Sequence, residues 1–288
     1  MLSAQIVANG LILGCLYASI AAGFSLVWGV LNIINLLHGS FIVLGAYLAF
    51  YAQREFGIDP FVFAPLAGVT LFGLGLIVQK LAINRVLGRP VLLTLTLTFG
   101  LNLAFGDAMI EAFSADYRKV NLTHGFGLLT LPGVVLPLDR VAVAAESLAI
   151  TALLWLLLRF TKLGRTIVAV RMDAEAASLM GVKTAAVFSL AFAIAAFTAG
   201  ASGALLAVIF PISPLMAAGY LGKSFVVCIL GGLGSVPGAI AGGLVLGLVE
   251  SVSSAVFGPA YTTTVSFVLL LLLLYVRPGG MFGRKSFA

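Results

Sequence analysis

Charged side chains are scarce in this chain: of its 288 residues, 9% are charged and 61% are hydrophobic. A typical soluble domain is about 45–50% apolar and about 25% charged. The composition therefore excludes an ordinary soluble protein and indicates a protein that crosses a membrane several times. The net charge of +6 is spread thinly along the chain, so it does not predict binding to nucleic acid.

Cysteine and histidine are also nearly absent, with two residues of each. Cys15 and Cys228 lie far apart in apolar segments, which offers neither a disulfide framework nor a metal-ligand spacing. His38 lies in an apolar span, whereas His124 lies in the outer loop, and the acidic residues are scattered, so we predict no metal site and no enzyme active site. Positive charge is missing near the start, where the first basic residue is Arg54, so the first apolar run is expected to be a retained span rather than a signal peptide.

Long apolar runs, in contrast, are abundant. A helix needs roughly 20 apolar residues to cross the hydrocarbon layer, and only helices or closed barrels can pair all their backbone polar groups there. The alternation of barrel strands is missing, so we predict an all-α polytopic integral membrane protein with one transmembrane domain over residues 1–288. The candidate spans are 4–30, 37–53, 61–80, 91–112, 141–159, 185–209, 215–232, 238–256 and 262–276. The second and seventh are the weakest, and eight crossings plus a broken or re-entrant segment fit as well.

The placement of Lys and Arg predicts the orientation, because basic loops stay on the cytoplasmic side. With nine spans and a cytoplasmic C-terminus, most basic residues lie on the inner side: Lys80, Arg85, Arg89, Arg159, Lys162, Arg165, Arg171, Lys183, Arg277, Arg284 and Lys285. The outer side then has Arg54, Arg118, Lys119 and Arg140. We therefore expect inner loops at 81–90, 160–184 and 277–288. The N-terminus faces outward, and the outer loop at 114–139 forms an irregular cap.

The inner loop at about 160–184 contains a candidate docking helix. Asp173 is suited to cap the helix N-terminus, Glu175 lies in its first turn, and Gly181 suits the left-handed position after its end. Periodicity gives the segment one apolar face and one polar face. The apolar positions are Ile167, Val170, Ala174 and Ala177, and the polar ones are Arg171, Glu175 and Ser178. Small residues such as Ala176 would allow a partner to approach closely; the alternative is a solvated connector with ordinary caps.

Four segments resemble a known family. Glu175–Ala176–Ala177 followed by Gly181 is similar to the EAA-type coupling loop of ABC importer permeases. Three others resemble the LivH-type branched-chain amino acid permeases: Gly29–Asn35 leading to His38–Gly39, Leu230–Gly238, and Arg277–Gly283. The resemblance extends over nearly the whole chain, with Leu37 standing where a small residue is expected.

The resemblance implies a permease subunit of an ABC importer that translocates amino acids into the cytoplasm across a bacterial cytoplasmic (inner) membrane. Branched-chain amino acids are the expected solutes. It also implies partners: a second, related permease subunit, two cytoplasmic ATPase subunits and an extracytoplasmic solute-binding protein. ATP would be bound by the ATPase subunits, with no cofactor in this chain. The residues expected to couple to the ATPases are Asp173, Glu175, Ala176, Ala177 and Gly181. The alternatives are a secondary transporter driven by an ion gradient and an ABC permease for urea, amides or aromatic acids.

Lys223 lies in a segment, Ala217–Ser224, that nearly spells a phosphate-binding loop. The first glycine of that motif is replaced by alanine and no strand precedes it, so nucleotide binding is not expected. A charge at mid-bilayer costs about 2.5–3.5 kcal/mol, so Lys223 must reach an interface, face water or find a partner. Asp107 and Glu250 are the acidic candidates within spans. We predict that Lys223 and Glu250 lie near the pore or the subunit contact; the alternative is that Lys223 anchors the end of a span.

Other polar residues also fall in spans. Asn32, Asn35 and His38 recur every third residue, and Thr98 and Asn102 share one side of a later span. Two interpretations remain open for these residues, namely caps of a broken helix or the lining of a polar path for the solute.

Glycines recur four residues apart near the end of the chain, a spacing that allows helix backbones to touch. The residues are Gly234, Gly238, Gly242, Gly243 and Gly247. Because Pro237 interrupts helical hydrogen bonding, we predict a kinked turn followed by a tightly packed span. A gate or a contact between permease subunits is the alternative role for these glycines.

Overall fold

The computed structural model describes residues 4–120, 122, 127–131, 133–276 and 280–281. Across these residues the chain forms eleven α-helices: α1 (Ala4–Leu31), α2 (His38–Phe56), α3 (Pro60–Leu81), α4 (Val91–Phe113), α5 (Leu138–Phe160), α6 (Lys162–Met172), α7 (Ala174–Leu179), α8 (Thr184–Ile209), α9 (Ala217–Gly231), α10 (Val236–Phe257) and α11 (Thr262–Val276). Strands β1 (Leu128–Leu131) and β2 (Val134–Pro137) form an antiparallel hairpin. Outside the described residues lie His124, Arg277, Pro278, Gly279 and residues 282–288, which hold most of the third family segment and the last predicted basic residues.

Nine of these helices, all except α6 and α7, coincide with the nine predicted spans to within three residues at each end. Eight helices in the described part of the chain are long and apolar enough to cross a membrane. Helix α2 is not among them, since its apolar stretch lies between His38 and a polar last turn with Gln53, Arg54 and Glu55. The prediction of an all-α membrane protein with eight or nine crossings is therefore confirmed.

The second crossing is broken. Thr98 Oγ1 on α4 donates to the carbonyl oxygen of Ile34 at 3.0 Å, and further along both segments the Tyr47 ring stacks on that of Phe113 with centroids 4.5 Å apart. Later residues of α4 therefore contact later residues of the segment formed by residues 32–37 and α2. This segment thus runs parallel to α4 through the bundle. It is non-helical over residues 32–37, with a turn at residues 36–37, and becomes helical only in α2, which confirms the predicted broken segment.

Helices α1 and α8 form the centre of the fold, because most of their residues are buried. Helix α10 packs directly on the backbone of α1: a Cβ atom added to Gly243 would lie 2.6 Å from the backbone nitrogen of Ala18, and Gly247 meets the backbone of Gly10 and Gly14. Side chains at these glycines would force the two helices apart, so their contact depends on the absence of Cβ atoms.

Gly234 lies outside α10, unlike the other four glycines of the four-residue spacing. It lies in the turn between α9 and α10 with a left-handed φ of 76°, before α10 begins at Val236. Pro237 lies in the first turn of α10, where its missing N–H costs nothing. Gly234 therefore shapes a turn, in agreement with the predicted turn but not with a position on the packed helix face.

The two ends of the bundle differ in character. One end holds the C-terminal end of α1, helices α6 and α7, and the α9–α10 turn. The other end holds the β-hairpin and a short bridge between Arg118 and Ile212. The first end has the basic loops, so the rule for positive charge assigns it to the cytoplasm.

The outer loop contains regular structure that was not predicted. Instead of a wholly irregular cap, strands β1 and β2 pair from Leu128 with Pro137 to Leu131 with Val134. The side chain of Gln5 both donates to the Val135 carbonyl at 3.0 Å and accepts from the Val135 N–H at 2.8 Å. The amide of Gln5 thus supplies the hydrogen bonds that a third strand would supply, and it attaches the hairpin to α1.

Candidate functional site

The predicted inner loop at 160–184 contains two helices, α6 and α7, that meet at one residue. Asp173 ends α6 by donating its N–H to Ala169 at 3.1 Å, and its Oδ1 accepts from the N–H groups of Glu175 and Ala176, both at 2.9 Å. This is the N-cap predicted for the docking helix. The apolar periodicity continues through Asp173, so it concealed the break between α6 and α7.

Helix α7 ends at a backbone conformation that favours glycine. Gly181 has a left-handed φ of 86°, and its N–H donates to the Ser178 carbonyl at 2.9 Å. With only six residues, α7 is too short to be stable without caps and packing. Its cap at Asp173 and its stop at Gly181 thus define the conformation of the exposed turn.

The surface of α7 differs in part from the predicted one. Glu175, Ala176 and Ser178 are exposed, whereas Ala177 is buried at 7% exposure and packs toward its own chain. Two large apolar residues that were not singled out in the sequence are strongly exposed here: Leu179 at 83% and Met180 at 86%. Two large apolar residues just before a helix-ending glycine in a polar loop were the available signal for this patch.

Arg171 also lies elsewhere than expected. It was placed on the face available to a partner, but its Nη1 donates to the carbonyl oxygen of Gly234 at 2.6 Å. Gly234 is 63 residues away in sequence, in the turn between α9 and α10. Although the residue as a whole is exposed, its guanidinium group is engaged with the transmembrane part of this chain.

The polar residues of the first two crossings surround the break at residues 32–37. Asn32 is exposed and has a left-handed φ of 53°, and Asn35 Oδ1 accepts from the Leu37 N–H at 3.2 Å. His38 is fully buried, with Nε2 2.9 Å from the Ile20 carbonyl. Because a carbonyl only accepts, Nε2 is the protonated nitrogen, and Nδ1 has no hydrogen-bond partner within the described residues.

Helix α4 supports the same break from the side. The Thr98 hydroxyl donates to Ile34, and Asn102 Oδ1 accepts from the buried hydroxyl of Ser40 at 2.7 Å. Of the five residues considered for a solute path, four thus bond within the chain around the break, and Asn32 is the exposed one.

Lys223 and Glu250 lie in contact in the middle of the bundle. Lys223 Nζ is 2.9 Å from Glu250 Oε2 and 2.8 Å from the hydroxyl oxygen of Tyr17. Tyr17 donates to Glu250 Oε2 at 2.6 Å, and Ser266 donates to Glu250 Oε1 at 2.8 Å. We call these four residues the Lys223 network; they join α1, α9, α10 and α11.

The Lys223 network lies at membrane depth rather than at the end of a span. Tyr17 is near the midpoint of α1, and Lys223 is near that of α9. The side chains of Lys223 and Glu250 are 18% and 5% exposed. Asp107, the other acidic candidate, is exposed on α4. Sequence reasoning indicated the two charged residues but had no signal for Tyr17 or Ser266, which are ordinary residues of apolar spans.

Two kinds of site are not formed by the part of the chain that the structure describes. Its His, Cys, Asp and Glu residues form no group of three or more that could hold a metal ion. The segment similar to a phosphate-binding loop is helical in α9, where its lysine is paired with Glu250. The segment is therefore a regular helix and not the glycine-rich turn that holds phosphate in such motifs.

Comparison with known proteins places these features in context. Residues 6–274 match the model of a family described as the permease component of branched-chain amino acid transport systems. The chain is 32% identical to the high-affinity branched-chain amino acid transport system permease protein BraD of Pseudomonas aeruginosa, over 98% of this chain and 96% of that protein. It is also 32% identical to the corresponding protein LivH of Escherichia coli K12, over 96% of this chain and 94% of LivH.

A solved structure supports the fold. PsaBC from Streptococcus pneumoniae in complex with Fab matches with a TM-score of 0.52, over 96% of this chain and 94% of the matched chain. The sequence identity is 13%, so the likeness concerns the arrangement of helices alone.

Proposed function

Because the chain belongs to the family of branched-chain amino acid transport permeases, we propose that it is the membrane-spanning permease subunit of an ABC importer. The solute is an amino acid, and the description of the family indicates a branched-chain one. It moves into the cytoplasm across the cytoplasmic membrane. The single observation that supports an ATP-driven mechanism is α7, a capped and exposed helix at the basic end of the bundle. A pore subunit of this kind performs no chemistry on the solute.

We propose four kinds of subunit in the complete importer. A second, related permease chain completes the pore, two ATPase subunits bind ATP on the cytoplasmic side, and a solute-binding protein delivers the amino acid from outside. The ATPases contact α7 through Glu175 and Ala176, while Asp173 and Gly181 maintain its conformation. Leu179 and Met180 add apolar area that such a partner would bury, at about 25 cal/mol per Å². Ala177 supports α7 from beneath.

The broken second crossing is proposed to border the solute path. Irregular backbone at membrane depth is tolerated where it is buried in protein or lines a water-filled cavity, and residues 32–37 are such a stretch. Asn35, His38, Thr98 and Asn102 hold this stretch in place, and the exposed Asn32 is available to the solute. Lys223 and Glu250 stabilise the helices behind it.

The docking role of α7 is tested by reversing the charge of Glu175. Glu175→Lys should reduce copurification of the ATPase subunits and uptake, while the amount of chain in the membrane stays unchanged. Glu55→Lys is the matched control, since Glu55 is an exposed residue at the opposite end of the fold. Full ATPase yield and normal uptake with Glu175→Lys would refute the assignment.

Reconstitution separates this proposal from an ion-driven transporter. Vesicles with the complete complex should accumulate amino acid only when ATP is present on the ATPase side, and ionophores should leave the uptake unchanged. If vesicles with this chain alone concentrate the solute, and ionophores abolish that uptake, a secondary transporter is favoured instead.

A further inference from the structure

Three parts of the chain meet at one point on the cytoplasmic end of the bundle. They are the guanidinium group of Arg171 on α6, Gly29 near the end of α1, and Gly234 in the α9–α10 turn. The charge-assisted hydrogen bond from Arg171 Nη1 to the Gly234 carbonyl is 2.6 Å long. Leu26, Val30 and Ile167 line a small cavity beside this contact, so α6 packs along the last turns of α1.

Contact at this point is close enough to require glycine. A Cβ atom added to Gly29 would lie 2.8 Å from the Gly234 Cα. One added to Gly234 would lie 2.9 Å from the Gly29 Cα and 2.8 Å from Arg171 Nη2. The two backbones and the guanidinium group therefore fill the same small space, and none of them can move far without displacing the others.

Arg171 is connected to the docking helix by a short and ordered path. It is the second-last residue of α6, and Asp173 alone separates α6 from α7. Helix α6 is held to the bundle by Ile167 and Val170, both 2% exposed. A shift of α7 would accordingly be passed to Arg171 through one capped residue rather than absorbed by a loop.

Arg171 contacts the transmembrane helices at two places where a helix ends. Gly29 is three residues before Asn32, where α1 gives way to the non-helical stretch of the second crossing. Gly234 connects α9 with α10, the helices that contain Lys223 and Glu250. Arg171 is thus in contact with the backbone near the break and with the turn between two core helices.

We propose that Arg171 is a positioning residue that transmits displacement of α6 and α7 to the ends of α1, α9 and α10. This inference rests on the proposed function, because it assumes that ATPase subunits move α7. The flat guanidinium group suits the task, since it can donate to a carbonyl while packing against two glycines. Loss of this contact should uncouple ATP hydrolysis from solute transport, while α7 remains available to the ATPase subunits.

The test uses the complete importer in vesicles and measures solute taken up per ATP hydrolysed. Arg171→Met keeps a long side chain but removes the charge and the donors, while Arg165→Met removes the same charge from an exposed position of α6. We expect Arg171→Met to copurify normally with the ATPases and to hydrolyse ATP, but with about tenfold less uptake per ATP. Arg165→Met should retain the wild-type ratio.

Arg171→Lys keeps a charge and a donor without the planar group, so its uptake per ATP should lie between wild type and Arg171→Met. If Arg171→Met does not accumulate in the membrane, Arg171→Lys alone decides, and a wild-type ratio in that variant overturns the inference. So does a wild-type ratio in Arg171→Met, or a loss of ATPase copurification equal to that of Glu175→Lys. Failure of the proposed function is seen separately, as missing ATP-dependent uptake by the wild-type complex.

Discussion

At the scale of single residues, the Lys223 network is the most consequential feature, because a charge at membrane depth is stable only with partners. The Glu250 carboxylate accepts hydrogen bonds from Tyr17, Lys223 and Ser266, so both of its oxygens are satisfied. Removing one member leaves the others buried with an unmet charge or hydrogen bond. The four residues should therefore behave as a unit rather than as independent contacts.

We predict that Lys223→Met lowers the thermal unfolding midpoint of the chain in detergent. Breaking a buried ion pair by removing one partner costs about 3–5 kcal/mol, because the remaining charge is left uncompensated. The double variant Lys223→Met with Glu250→Gln should recover part of this loss, since no charge is then buried. If the double variant loses as much as the two single variants combined, the two residues are not coupled and this account of the network is wrong.

At the scale of helices, the contact between α1 and α10 depends on glycine backbone approach, whereas other glycines have room around them. A Cβ atom on Gly243 would meet backbone atoms of Gly14 and Ala18. Gly106 on α4 and Gly73 on α3, in contrast, have no atom within 4 Å of such a Cβ position in the described structure. Replacing glycine with alanine is therefore expected to destabilise the protein at Gly243 but not at Gly106 or Gly73.

We predict that Gly243→Ala destabilises the chain, because backbone atoms of α1 cannot move aside as a flexible side chain would. Over-packing of this kind typically costs about 1–3 kcal/mol. Gly106→Ala serves as the control and should be neutral or slightly stabilising, since alanine is favoured over glycine within helices. Thermal unfolding of both variants in detergent provides the measurement, and equal midpoints would contradict the close contact of α1 with α10.

The break between α6 and α7 shows how one residue changes the role of an element. If residues 162–179 formed one helix, Arg171 would lie on the same face as Glu175 and would be available to a partner. Asp173 instead ends α6 and starts α7. Arg171 consequently belongs to the transmembrane contact, and Glu175 belongs to the exposed turn.

At the scale of the whole molecule, we predict from nine crossings and the position of the basic loops that the start of α1 lies outside and α7 inside. The break at residues 32–37 is compatible with this arrangement because α2 continues in the direction of α4. At the predicted outer end, the β-hairpin is hydrogen-bonded to Gln5, and Arg118 Nη1 donates to the Tyr51 hydroxyl at 3.1 Å. The two ends of the bundle therefore differ in both charge and structure.

Labelling with a membrane-impermeant maleimide tests this orientation. Leu179→Cys should react only when the cytoplasmic side is accessible, and Tyr117→Cys, at a residue that is 71% exposed, only from the outside. The native Cys15 and Cys228 are buried, so the unmodified chain is the control and should react with neither treatment. Labelling of Leu179→Cys from outside would invert the topology and would remove α7 from the reach of cytoplasmic ATPases.

Much of the fold could be predicted from the sequence, because hydrophobicity and charge act locally along the chain. A run of about 20 apolar residues predicts a span wherever it occurs, and Lys and Arg beside spans predict the cytoplasmic side. The N-cap at Asp173 could be predicted in the same way, since N-capping involves backbone groups only two and three positions away. These local rules account for the helix positions and for the two ends of α7 at Asp173 and Gly181.

What only the tertiary structure decided is which distant groups satisfy one another. Tyr17 and Glu250 are 233 residues apart, and Arg171 and Gly234 are 63 apart, so no local pattern relates them. A buried polar group in lipid must find a partner, yet this requirement leaves open which of several partners it takes. The packing of α1 against α6, α9 and α10 makes that choice, because it determines which backbones and side chains come within hydrogen-bonding distance.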